Sequence, residues 1–275
     1  MKLARSIYLR VRCGRAARLS LGGASWWVPV QDKYFTPALL LLGSYEPTET
    51  RFVRQTVTPG MVALDIGAHV GYYTCLLASL ASPGGRVFAF EPMPLNRRLL
   101  RRNVAQQAAH SVTIVPFAAS HETGSHTLYL SANNSGDNRL TPHAQPGHQV
   151  TIQMVRLDDY LSAPTRVDFV KMDVQGWEWH VLKGMTSLLD ANPRIVILLE
   201  IWPAGLAQAG SSVDALAELC EHHGLALHRF DAAHPDRLVR VGAAEIMAAS
   251  GPFRDSVNAV AAAPDRLSQI RSRSA

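Results

Sequence analysis

From residue 61 onward, apolar runs of strand length alternate with amphipathic stretches of helical period. The pattern predicts strands over 61–66, 86–90, 112–117, 169–172, 195–201 and 225–230, with a last one over 257–261. Helices are expected between most of them, over 70–81, 94–107, 177–189 and 213–223, and an earlier one over 46–57 stops at Thr58-Pro59-Gly60. The runs are apolar nearly throughout rather than alternating, as in strands covered on both faces. The expected fold class is therefore α/β, a doubly wound, mainly parallel seven-stranded sheet with helices on both sides.

Two regions break this rhythm. Residues 1–45 are poorly periodic and read as an N-terminal extension that, with the helix, fills 1–57. Within the domain expected over 58–265, the stretches 127–131 and 149–155 look like short strands flanking a polar loop at 133–139. They suggest a β-hairpin insertion over about 124–156, and a long loop at a sheet edge is a common carrier of function. Residues 266–275 read as a basic tail.

The first core strand runs into Asp65-Ile66-Gly67-Ala68-His69-Val70-Gly71-Tyr72-Tyr73, where a buried strand, a glycine turn and a helix start are compressed together. Glycine lets backbone approach a ligand, and the helix N-terminus offers free N–H groups. A dinucleotide loop would need the middle glycine of G-x-G-x-x-G, which is missing between Gly67 and Gly71. A phosphate loop would need Gly-Lys-Ser/Thr, which is also absent. An ordinary strand–helix turn fits the same residues.

The ends of the other strands add information, because ligands of open α/β sheets sit at the carboxyl ends of the strands. The second strand ends at Glu91-Pro92, where a carboxylate can accept both hydroxyls of a ribose. The fourth ends at Asp173, followed by Val174-Gln175-Gly176-Trp177-Glu178, and the fifth at Glu200, followed by Ile201-Trp202-Pro203. A repeated acid at buried strand ends is a pattern that solvated surface acids do not produce.

The D-x-G-x-x-x-G loop resembles the first motif of class I S-adenosylmethionine-dependent methyltransferases. Together with Glu91-Pro-Met-Pro, Leu157-Asp-Asp-Tyr160, Val170-Lys-Met-Asp-Val-Gln-Gly-Trp-Glu178 and Val181-Leu-Lys-Gly184, it resembles the FkbM-type methyltransferases over about residues 60–202. The resemblance implies a Rossmann-like sheet with the last strand antiparallel, S-adenosyl-L-methionine as cofactor, and O-methylation of a hydroxyl on a small molecule, sugar or glycan. Two positions depart from the family, which usually has Asn at His69 and Glu at Gln175. Asp65, Gly67, Gly71 and Glu91, with His69, Tyr72 and Pro92 beside them, are the expected cofactor residues. Asp173 is expected at the cofactor's amino-acid end or at the acceptor. An alcohol acceptor benefits from a general base, and the candidates are Asp173, Glu178, His180 and Glu200. Glu178 also suits a first helical turn without doing chemistry, and His180 also suits packing. Asp173 with Asp158 or Asp159 can be imagined on a divalent metal, but nothing in the spacing requires one.

Composition changes the picture little. The chain has 275 residues, 47% hydrophobic and 18% charged, with a formal net charge of +5, which suits one soluble domain with an ample core. Its arginines gather near the ends (Arg5, Arg10, Arg12, Arg15 and Arg18; Arg266, Arg271 and Arg273), with a helical cluster at Arg97, Arg98, Arg101 and Arg102. Terminal charge is weak support for a nucleic-acid partner; it also allows loose contact with a membrane surface. Cys13, Cys75 and Cys220 form no C-x-x-C pair, and the start lacks a signal-peptide core, so a reducing cytoplasm is the expected compartment. An RNA methyltransferase is the rival enzyme, although no Asn/Asp-Pro-Pro-aromatic follows the fourth strand and no Pro-Cys occurs. A non-catalytic cofactor-binding relative is the rival of a different class.

Overall fold

The computed structural model describes residues 10–13, 16–21, 24–30, 32–107, 109, 111–132, 134–144, 147–161, 165–251 and 255–272. Arg5, Arg15 and Arg273, expected in basic arms, lie outside the described residues.

The chain begins with β1 (Arg10–Cys13), β2 (Ala16–Leu21) and β3 (Ala24–Pro29), an antiparallel sheet, followed by α1 (Phe35–Leu42) and α2 (Pro47–Thr56). The sheet falls in the region read as aperiodic. In hindsight β2 alternates, with Ala17 and Leu19 buried and Arg18 and Ser20 exposed, a period-two signal masked by its brevity and its flanking glycines.

The core then unfolds in order as β4 (Val62–Ile66), α3 (Tyr72–Ala81), β5 (Arg86–Phe90), α4 (Pro94–Gln106) and β6 (Val112–Val115). The insertion follows as β7 (Ala118–Ser120), β8 (Gly124–Tyr129) and β9 (Gln149–Arg156), a small separate sheet, leading into α5 (Leu157–Tyr160). The core resumes with β10 (Phe169–Met172), α6 (Glu178–Lys183), α7 (Thr186–Ala191), β11 (Val196–Ile201), α8 (Pro203–Gln208) and α9 (Val213–His222). It ends with β12 (Ala226–Phe230), β13 (Leu238–Arg240), α10 (Ala243–Ala249), β14 (Val257–Ala262) and α11 (Pro264–Ser272).

The central sheet runs β13-β12-β14-β11-β10-β4-β5-β6. It has eight strands rather than the expected seven, because the short edge strand β13 pairs antiparallel with β12. β14 is antiparallel to both β11 and β12, and the pairings from β11 through β6 are parallel. Strand side chains alternate between two apolar layers. Leu64, Ile66, Val170, Met172 and Leu199 join the cluster under α6 and α9; Ala63, Phe169, Val196 and Leu198 join the one under α3. Helices on both faces follow from that alternation.

One helix reading is corrected. The stretch 177–189 is broken into α6 and α7 at Gly184, where a Cβ would lie 1.8 Å from the Ser120 carbonyl oxygen; the helix yields to the close approach of β7. Residues 266–272, read as the start of a basic tail, continue α11. No helix among the described residues is long and apolar enough to cross a membrane.

Register sets the site. Ile66 pairs with Phe90 and with Met172, and Met172 pairs with Leu199, so these four residues form one row across β5, β4, β10 and β11. Gly67, Glu91, Asp173 and Glu200 each follow that row by one residue. The chain moves from β4 to β5 on one side and returns through β10 on the other, placing the row at the switch point of strand order.

Candidate active site

The loop from β4 to α3 needs left-handed backbone at Gly67 (φ 82°), His69 (φ 49°) and Gly71 (φ 91°). At Gly67 a Cβ would come within 1.9 Å of the Asp173 carbonyl oxygen, so glycine is demanded by conformation and contact together. The amides of Gly67 and Ala68 donate to the Phe90 carbonyl, each at 3.0 Å, and the His69 amide donates to Glu91 Oε2 at 2.8 Å. Met93 N donates to Glu91 Oε1 at 2.8 Å. Burial nevertheless pushes the Glu91 carboxyl up to about 7 against these donors. Each oxygen still has acceptor capacity, and Glu91 lines an open pocket of about 570 Å³ with Gly67, Pro92 and Asp173.

Asp65 points to the other side of the loop. Thr74 Oγ1 donates to its Oδ2 at 2.5 Å, and burial raises the carboxyl to about 6. It lines a second cavity of about 380 Å³ with Tyr45, Tyr72, Lys171 and Asp173; Gly67 and His69 border both cavities.

The insertion closes over the pocket. Ser135 Oγ donates to Asp32 Oδ2 at 2.7 Å, so its only hydroxyl proton is engaged. His69 Nε2, 2.6 Å from the same oxygen, must therefore carry the proton and donate it. Burial lowers the His69 pKa, which agrees with a neutral ring, and Phe35 meets that ring edge-on at 5.2 Å. His69 thus ties the glycine loop to the insertion and, through Asp32, to the N-terminal segment.

On the far side of the switch point, Gln175 adopts φ 52° and its Nε2 donates both to Asp173 Oδ1 at 2.7 Å and to Glu200 Oε2 at 3.0 Å. Ser256 Oγ donates to the other oxygen of Glu200. Burial and then the charge of Asp173 raise the Glu200 carboxyl well above the usual range. Asp173 is the member of the pair that lines the pocket.

Beneath it lies Lys171, 1% exposed in the middle of β10 and paired in register with Asp65. Its Nζ has no hydrogen-bond partner, stands 4.0 Å from Asp173 Oδ2 and 5.2 Å from the centre of the Tyr73 ring. Burial alone would lower its pKa, but Glu46, Asp173, Glu200 and Asp65 together raise it. Sequence reasoning missed this residue; the signal was a lone lysine inside an apolar strand, a place lysine occupies only with partners. Asp32 and Ser135 were missed as well, since no local pattern joins residues 103 positions apart.

Other expected residues lie elsewhere. Glu178 accepts from Gly176 N at 2.9 Å, is fully buried and is pushed up to about 8 by that burial; it does not border the pocket. His180 uses both ring nitrogens, one 3.1 Å from His121 Nδ1 and the other donating to the Ala209 carbonyl at 2.9 Å, and stacks on Trp177. It does not border the pocket. Asp158 accepts from Ser187 N and Leu188 N at 3.0 Å each, capping α7 instead of joining Asp173 on a metal. Tyr72 borders the second cavity, its hydroxyl 3.1 Å from Thr50 Oγ1.

The Methyltransferase FkbM domain model matches residues 65–225. The hexuronic acid methyltransferase AglP of Haloferax volcanii is 28% identical over 147 residues, 50% of this chain and 54% of AglP. The 31-O-demethyl-FK506 methyltransferase FkbM of Streptomyces tacrolimicus is 30% identical over 168 residues, 50% of this chain and 63% of that protein. AmbE, the AMB antimetabolite synthetase of Pseudomonas aeruginosa, is 28% identical over 208 residues, 60% of this chain but 10% of AmbE. The chain therefore spans about half of AglP and a tenth of AmbE. Among solved structures, the methyltransferase FkbM from Methylobacillus flagellatus aligns over 78% of this chain and 50% of that one, with a TM-score of 0.44 and 16% identity. With a family match over residues 65–225, more than half of its length, the chain belongs to the FkbM family of S-adenosylmethionine-dependent methyltransferases.

Proposed function

We propose that this chain transfers the methyl group of S-adenosylmethionine to a hydroxyl oxygen of a small molecule, sugar or glycan. The observation that carries this reading is the Asp173–Gln175–Glu200 constellation at the lip of a pocket whose other wall is Glu91.

When bound, the cofactor supplies a methyl group activated on a sulfonium. The residues present fit it. Glu91 would hold the ribose diol, because its two oxygens are fixed by one backbone N–H each and keep acceptor capacity toward the pocket. Lys171 and Asp173 offer opposite charges at the second cavity, and the unpartnered Nζ of Lys171 suits the carboxylate of an amino-acid end. Asp65, 2% exposed, supports the loop from below.

In-line transfer depends chiefly on holding the acceptor oxygen in place while its proton is removed. Asp173 is the carboxylate positioned to take that proton. Gln175 fixes its orientation, and the raised Glu200 carboxyl beside it holds its proton more tightly than a free one. The names of the relatives AglP and FkbM, which mention a hexuronic acid and a 31-O-demethyl compound, support an oxygen acceptor.

Calorimetric titration of the full chain with S-adenosylmethionine tests the reading. Glu91→Ala is expected to weaken binding by about tenfold or more, the loss of charge-assisted hydrogen bonds. Unchanged affinity overturns the cofactor assignment. Cofactor binding without release of S-adenosylhomocysteine, on any hydroxylated acceptor tried, favours a non-catalytic relative.

A further inference from the structure

The insertion places the guanidinium of Arg139 among the groups that line the pocket. Arg139 is fixed through its backbone to the end of β8: Tyr129 N donates to the Arg139 carbonyl at 2.8 Å, and Arg139 N donates to the Tyr129 carbonyl at 3.1 Å. Its guanidinium carbon sits 4.8 Å from the centre of the Trp202 ring. Trp202 directly follows β11, and its ring edge lies against Gly205, which in turn backs onto Gly176 of the Asp173 loop. A stacked guanidinium on a pinned backbone has lost most of its freedom before any ligand arrives.

That cation acts on the neighbouring Asp137 electrostatically but forms no close ion pair with it. Arg139 Nε is buried without a hydrogen-bond partner. Asp137, two residues away, stands 4.0 Å from His143 Nδ1, and among the described residues no carboxylate oxygen comes within 4.0 Å of Arg139. A planar donor array in this state is matched by an oxyanion, which accepts from two of its N–H groups at once. The remaining charges define a direction. The Asp173–Glu200 pair repels an anion, so an acceptor bearing one is turned with its charge toward Arg139 and a hydroxyl toward Asp173.

We propose that Arg139 is a specificity-determining residue that selects acceptors carrying an oxyanion, a carboxylate or a phosphate, and orients them for methylation. The proposal rests on the methyl-transfer reading above. Its test is titration of the full chain, saturated with S-adenosylhomocysteine, with methyl glucuronoside, glucose 6-phosphate and neutral methyl glucoside. At least one charged probe is expected to bind about tenfold tighter than the neutral one, and which of the two does so separates carboxylate from phosphate. Arg139→Gln is expected to erase the preference and Arg139→Lys to restore part of it, while S-adenosylhomocysteine affinity measured on each variant reports an intact pocket. Equal affinity for the three probes, absence of binding included, overturns the proposal, as does a preference that survives Arg139→Gln. Failure to bind S-adenosylhomocysteine at all overturns the methyl-transfer reading instead.

Discussion

The two halves of the site, either side of the switch point, satisfy their acids by different means. Around β4 and β5 each carboxylate is held by nearby groups: Glu91 by the amides of His69 and Met93, Asp65 by the hydroxyl of Thr74. Around β10 and β11 the acids are held by shared side chains and affect one another's charge. Asp173 and Glu200 share one amide of Gln175, Ser256 arrives from the approach to β14, and Lys171 balances four carboxylates without a hydrogen bond of its own. Donors that each serve one acid make the first half a cradle. The second is a charge-balanced group, in which removing one member changes the behaviour of the rest.

The cradle has the more drastic point of failure. Gly67→Val forces a branched side chain into a left-handed conformation and against the Asp173 carbonyl, 1.9 Å from where its Cβ would stand. It is expected to cost roughly 4 kcal/mol in chemical denaturation and to abolish S-adenosylmethionine binding. A variant that keeps cofactor affinity would show that the cradle is not the cofactor loop.

In the charge-balanced half the largest effect is expected at Lys171→Met. Glu46, Asp65, Asp173 and Glu200 then face one another without a cation, at a cost of about 3 kcal/mol. The acidic limb of the methyl-transfer pH profile is expected to move to higher pH, because the acids hold their protons more tightly. A loss of stability with an unmoved pH profile would reduce Lys171 to a purely structural role.

Glu178 gives the smallest and most pH-specific effect. Its carboxyl is pushed from 4.5 to about 8 on folding, so the native state keeps a proton that the unfolded chain releases between those values. Its stabilising contribution is complete below pH 4.5 and is lost as pH rises through about 8. Glu178→Gln keeps the acceptor for Gly176 N and does not titrate. Its melting temperature is expected to match that of the wild type at pH 5 and exceed it at pH 9, by the equivalent of roughly 2 kcal/mol. A constant difference across that range would show that Glu178 does not carry the pH dependence.

The same division governs what could be read without coordinates. β5 and β10 run as expected, over 86–90 and 169–172, because a buried strand announces itself by a mostly apolar run that ends where an acid appears. The glycine loop was legible because its left-handed positions, Gly67, His69 and Gly71, lie close together in the chain, although the contact that forbids a side chain at Gly67 comes from Asp173. His180 was not, since the groups that occupy its nitrogens, His121 and Ala209, lie 59 and 29 residues away. The break at Gly184 was hidden too; nothing within the helix requires it, only the Ser120 carbonyl against which it packs.

The sequence by itself determined the alternating elements, the switch-point architecture and the acids that close the strands, since burial and period are properties of short segments. Tertiary structure decided which of those acids meet. The register aligning Ile66, Phe90, Met172 and Leu199 turned four separate strand ends into one row, set Lys171 beside Asp65, and left Glu178 beneath the surface. The insertion's grip on His69 and the placing of Arg139 over Trp202 arose at the same level. Such contacts join segments far apart in the chain, and their energies exist only once the intervening sheet has closed the distance.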